Sequence, residues 1–214
     1  MDIKKEALRY LGYRGEPDEQ TVSLLLCAEK EFSEKAAPSF CWRLMAKSEC
    51  EHLLTGGDIK NHLKDSENVI LFAATLGAAA DRIIRAAEIS DMAYAVVADA
   101  YASALIEDYC DRCEKIMQEK AGGNFTFRYS PGYGDYPISV QSSFIKALSA
   151  DKQIGLTATE NHILLPRKSV TAVIGITEKQ REENRNKCES CNMKNKCLLR
   201  KDGSDCGHQD TTQP

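Results

Sequence analysis

No run of apolar residues in this chain is long enough to cross a bilayer. The longest stretch of low charge, Val69 to Ala80, falls well short of the roughly 20 residues a membrane helix needs. The opening residues, MDIKKEALRYLGYRG, carry no long apolar stretch behind their charges, so a secretory signal is not expected. A basic excess is missing too. With 28 Lys and Arg against 32 Asp and Glu the formal charge is −4, which argues against a nucleic-acid backbone as partner. The four histidines, His52, His62, His162 and His208, are scattered and form no HExxH pattern, and no nucleophile motif accompanies them. Leu76-Gly77-Ala-Ala-Ala80 carries neither GxGxxG nor GKS, so it is a poor phosphate loop. Internal repeats and low-complexity tracts are absent as well. The expectation is a cytoplasmic protein with no nucleic-acid or membrane partner and no classical hydrolase chemistry.

At 214 residues and 43% hydrophobic content the chain is large enough for one domain with a substantial core. The spacing predicts helices over Ile3–Leu11, Glu19–Ala36, Ala78–Ala87 and Asp91–Lys120, the last with an Ala-rich first half suited to close packing. Val69–Leu76 and Val170–Ile176 are apolar without alternation, as strands covered on both faces are. Phe40–Met45 and Cys50–Leu54 read as an early hairpin. Phe125–Arg128, Ile154–Thr159 and Ile163–Leu165 read as further strands, with a helix from Ser139 to Leu148 and short helical turn at Ile59–Leu63. Helices come first and strands mostly later. That order predicts an α+β fold, helices packed on a mixed or antiparallel twisted sheet, over residues 1–177. Residues 178–214 form a separate polar, Cys-rich tail.

Nine cysteines are many for a chain with no secretion signal, and two contexts divide them. Cys110-Asp-Arg-Cys113 lies on the predicted long helix, where Cys110, Cys113 and Met117 continue an apolar stripe, so buried structural thiols are the expected reading. Cys188, Cys191, Cys197 and Cys206 stand in the polar tail. A CxxC pair followed by two more thiolates can complete a tetrahedral zinc set or hold an iron–sulfur cluster, and spacing does not choose between them. The bland alternative is a reduced tail.

Arg128-Tyr-Ser-Pro-Gly-Tyr-Gly-Asp-Tyr-Pro137 packs two prolines, two glycines and three tyrosines behind one arginine. Pro131-Gly132 is type II turn chemistry, and Gly134 allows a second reversal. Such a segment can be an ordinary surface turn. It can equally be a ligand loop in which glycines bring backbone N–H groups close, Arg128 clamps a carboxylate and Tyr133 offers a ring and a hydroxyl.

The run Arg128-x-x-Pro131-Gly132-Tyr133 resembles the signature of the activation domain of cobalamin-dependent methionine synthase. Ile154-Gly-Leu-Thr-Ala-Thr-Glu160 and Pro166-Arg-Lys-Ser-Val-Thr-Ala-Val-Ile-Gly175 continue the resemblance downstream. Thr75-Leu-Gly77, Asp81-Arg82 and Asp99-Ala-Tyr-Ala-Ser-Ala-Leu-Ile-Glu107 are similar to the short, stand-alone members of that family. The resemblance implies S-adenosylmethionine as cofactor, with Arg128 on its carboxylate, Pro131, Gly132 and Gly134 contacting it through the backbone, and Tyr133 between it and a cobalt. Glu107 and Glu160 are further candidates for its cationic groups. The implied function is reductive methylation of cob(II)alamin. No DxHxxG cobalamin motif occurs here, so the cobalamin has to be carried by a separate partner, a corrinoid-binding methionine synthase or a related corrinoid methyltransferase. A flavodoxin- or ferredoxin-like protein is the implied electron donor. The alternative from another class is a non-catalytic adaptor that delivers electrons or docks through the cysteine tail.

Overall fold

A computed structural model describes residues 1–178; the four tail cysteines, Cys188, Cys191, Cys197 and Cys206, lie outside the described residues. The chain begins with α1 (Ile3–Tyr10) and α2 (Glu19–Lys35). Each is started by an aspartate: Asp2 accepts the N–H of Lys5, and Asp18 that of Thr21, satisfying donors that a helix start leaves unpaired. Strand β1 (Ser39–Ala46), α3 (Gly57–His62) and β2 (Asn68–Thr75) follow, then α4 (Ala78–Ser90) and the long α5 (Met92–Ala121). Asp91 caps α5 by accepting the Tyr94 N–H, and Gly122, at φ +69°, ends it. The remaining elements are β3 (Asn124–Phe125), α6 (Gln141–Leu148), α7 (Ala150–Ile154), β4 (Thr157–Ala158), β5 (Leu164–Leu165) and β6 (Ser169–Thr177).

Four strands form one antiparallel sheet in the order β1-β2-β6-β3, and β4 and β5 make a separate antiparallel pair. Side chains alternate across a strand, and the central strands bury both sets. Ile70, Phe72 and Ala74 of β2, with Ala172 and Ile174 of β6, pack with Phe32, Ile83, Tyr101 and Met117 of α2, α4 and α5. Val69, Leu71 and Ala73, with Val173, pack with Ile59, Leu63, Phe144 and Leu148 of α3, α6 and the segment after α3. The sheet is therefore covered on both faces, which is why β2 and β6 are uninterrupted apolar runs. The architecture is α+β, as expected.

Three of the expected strands differ. Cys50–Leu54 is not a strand; Lys47–Leu53 forms 3-10 turns that meet at a kink at Cys50. Glu49 folds back to accept the Ala46 N–H at 2.9 Å, and Cys50 and Leu53 are the buried pair at a three-residue spacing, which suits a 3-10 turn and not a pleat. The partner of β1 is β2 instead. Ile154–Thr159 begins as the end of α7 and keeps only Thr157–Ala158 as strand. Phe125–Arg128 pairs with β6 only at its start, because the Thr126 hydroxyl accepts the Gly175 N–H (2.8 Å) and displaces the ladder; pairing resumes at Tyr129, which exchanges two 2.9 Å backbone hydrogen bonds with Val173.

Ser66 has a buried hydroxyl that finds no partner among the described residues. Stranding a buried donor costs about 1–3 kcal/mol. Ser66→Ala is therefore expected to raise stability by about 1 kcal/mol in urea unfolding, with an unchanged m-value.

Candidate functional site

The loop after Arg128 is built as a clasp. Tyr136 is buried and its hydroxyl donates to the Leu53 carbonyl at 2.9 Å. Within the loop, the Gly132 N–H donates to the Tyr136 carbonyl (2.8 Å) and the Tyr136 N–H to that of Tyr133 (2.9 Å). The Asp135 carboxylate accepts the backbone N–H groups of Gly57 (2.6 Å) and Asp58 (2.9 Å) at the start of α3, and these donors hold its carboxyl below the usual range. Asp58 returns the contact by accepting the Asp135 N–H at 3.2 Å. Gly134, at φ +54°, lies where a Cβ would meet the Asp58 carboxylate and the Tyr129 hydroxyl, so the tight turn requires glycine there. The clasp leaves Tyr133 67% exposed, its ring edge-on to Tyr129 at 6.4 Å. Phe127 is exposed beside it, and His62 stacks between Phe127 and Tyr129 at 4.2 and 5.0 Å.

Arg128 leaves the loop in the other direction, toward α5. Its Nη1 donates to Glu114 at 2.9 Å, and its Nη2 to Asp111 at 2.8 Å and Glu107 at 3.1 Å. Its side chain is only 17% exposed. Glu107, Asp111 and Glu114 stand at helical spacing on one face of α5, and one guanidinium therefore faces three carboxylates.

Glu107 also lines a cavity of about 460 Å³. Its walls come from the end of α1 (Tyr10, Leu11), from the stretch of α5 that carries Asp99, Ser103 and Glu107, and from Arg167 to Val170 at the entry to β6. Lys168 Nζ lies 2.9 Å from Asp99 Oδ1, 3.1 Å from the Asp99 carbonyl and 2.8 Å from Ser103 Oγ. The Arg167 N–H donates to both oxygens of Asp81, at 3.1 and 2.8 Å. Burial first, and then the Glu107 carboxylate, push the Tyr10 phenol up. Charges of both signs, aliphatic side chains and a phenol therefore meet in one opening.

No family model and no curated protein matches the chain. Among solved structures, it is similar to the crystal structure of the MetH reactivation domain bound to AdoHcy. The two share 18% identity with a TM-score of 0.47, over 64% of this chain and 47% of that one. The chain thus spans about half the length of the structure it matches.

Of the residues expected to form a site, Arg128 and Glu107 are brought into contact. Pro131, Gly132, Tyr133 and Gly134 form the clasp, with Tyr133 turned to solvent. Glu160 sits in the turn between β4 and β5 and does not line the cavity. Cys110 and Cys113 are buried, and desolvation pushes Cys113 up to about 11 and Cys110 higher still; thiols so far from thiolate character are packing groups. No cluster of three metal-ligating side chains occurs among the described residues, nor is any helix there long and apolar enough to cross a membrane. The cavity residues Tyr10, Arg167 and Lys168 were not expected as site residues. One signal was available: Asp99, Ser103, Glu107 and Asp111 recur every fourth residue along an Ala-rich helix, a polar stripe on a face that would otherwise pack.

Proposed function

We propose that this protein binds S-adenosylmethionine in the cavity between α1, α5 and the entry to β6, and supports reductive methylation of cob(II)alamin held by a separate corrinoid protein. The observation that carries the reading is the cavity itself: about 460 Å³, with acidic and basic side chains on its walls, and joined through Glu107 to the Arg128 loop. A pocket of this size suits a small cofactor. A molecule with an ammonium, a carboxylate and a sulfonium beside an apolar ring system finds counter-charges and aliphatic walls there.

In that reading S-adenosylmethionine supplies the methyl group and the partner's corrinoid, once reduced, supplies the nucleophile. The chain's own residues position and shield. Glu107 meets a cationic group of the ligand, and Arg128, which contacts Glu107 and ties the loop to α5, takes the ligand's carboxylate. Pro131, Gly132 and Gly134 shape the clasp, and Tyr133 presents its ring outward, where the corrinoid partner docks. Methyl transfer from a sulfonium needs alignment and exclusion of water, not a general base, and no acid–base pair is required of the site. A flavodoxin- or ferredoxin-like donor supplies the electron, and the tail cysteines hold zinc or an iron–sulfur cluster.

Calorimetric titration with S-adenosylmethionine is expected to show saturable one-site binding that Glu107→Gln weakens. Anaerobic mixing with a cob(II) corrinoid protein and a reductant is expected to bleach the cob(II) spectrum only when S-adenosylmethionine is present. Absence of binding heat at millimolar ligand would sink the proposal and leave the adaptor role.

A further inference from the structure

The guanidinium of Arg128 is engaged in the free chain, and its two terminal nitrogens have different company. Nη1 donates to Glu114 at 2.9 Å, and Glu114 is the most enclosed of the three acids, at 16% exposure. Nη2 carries two N–H groups, and two carboxylates take them: Asp111 at 2.8 Å and Glu107 at 3.1 Å. Of the three acids only Glu107 lines the cavity. Nη2 is therefore the nitrogen tied to the cavity wall, and Asp111 sits on it at the shorter distance.

We infer that Asp111 is a built-in competitor for the cofactor: it holds Arg128 on α5 in the free chain, and the cofactor's carboxylate has to displace it from Nη2. The inference rests on the cofactor reading above, in which Arg128 takes that carboxylate. Glu114, on Nη1, anchors the guanidinium throughout, so one carboxylate is exchanged for another without release of the arginine. The planar fork accepts either. Asp111 is 37% exposed, so water takes it up once it is displaced, and parting from it costs little. Glu107 stays on the cavity wall for the ammonium. The arginine is free to bind in only a fraction of the molecules, and the apparent affinity is lowered by that fraction. Asp111 thereby acts as a positioning residue that sets how much cofactor is needed to fill the site.

The sign of the effect tests this. S-adenosylmethionine carries one more positive group than negative, so loss of a nearby acid by charge alone would weaken it. Competition predicts the reverse. In calorimetry on the full chain, the isosteric Asp111→Asn is expected to tighten S-adenosylmethionine by roughly threefold to tenfold. Decarboxylated S-adenosylmethionine, which keeps the sulfonium and the amine and lacks only the carboxylate, is expected to gain nothing. Asp111→Glu, which keeps the charge, is expected not to tighten either ligand. Unchanged or weaker binding of S-adenosylmethionine by Asp111→Asn overturns the assignment. So does equal tightening of both ligands, or the same gain from Asp111→Glu. If wild type binds neither ligand, the cofactor reading itself fails, a result distinct from any of these.

Discussion

Replacing Arg128 with methionine is expected to lower stability by about 2 kcal/mol, although methionine keeps much of the apolar stem. The loss comes from Glu107, Asp111 and Glu114, which would lose the guanidinium that all three face. Removing one partner from a buried ion pair costs about 3–5 kcal/mol. Here Glu107 and Asp111 are 40% and 37% exposed, so solvent screening reduces the figure. For a chain of this size the change corresponds to a fall in Tm of about 4–8 °C. The deficit should shrink in high salt, because the residual repulsion is partly exposed and the screening length falls to about 3 Å at 1 M. Thermal unfolding of wild type and variant at two salt concentrations checks both statements. A deficit independent of salt would mean that Arg128 acts through packing alone.

Gly175→Val is expected to be costlier, at about 3 kcal/mol, and insensitive to salt. A Cβ at Gly175 would meet the Ser66 hydroxyl oxygen, with Leu63 Cδ2 at 2.9 Å and Ser66 Cβ at 3.1 Å. Overpacking a filled core costs about 1–3 kcal/mol and sometimes more, and valine adds two methyl groups beyond the Cβ. Gly175→Ala should cost less, and less again in the Ser66→Ala background, where the nearest atom is gone. Denaturant unfolding of the four combinations gives the coupling directly. Additive costs would show that Ser66 and Gly175 do not share the strain.

What the chain disclosed in advance follows from the range of each interaction. β2 and β6 were legible because both faces of each are buried, so their apolar runs need no context. Helix α5 was legible from its length and its Ala-rich packing stripe. Cys50–Leu54 misled because a short apolar run fits a strand or a tight helix equally, and the Glu49 side chain that decides it acts three residues back. The site divides in the same way. The clasp announces itself through Pro131, Gly132 and Gly134, whose backbone demands are local. The approach of Glu107 to Arg128 spans 21 residues, and Tyr10 and Arg167 line one cavity only because α1 and the start of β6 converge on α5. No local pattern encodes that convergence.

One strand carries both halves of the site. Ser169, at the head of β6, lines the cavity, and Val173, further along it, exchanges hydrogen bonds with Tyr129 at the root of the clasp. At about 3.3 Å per residue those two points stand on the order of 13 Å apart, fixed by a ladder with β2 on the other side. β6 is thus a ruler. A molecule seated in the cavity reaches the clasp only if it is extended, and a shorter one can fill one end of the gauge without ever presenting anything at the other.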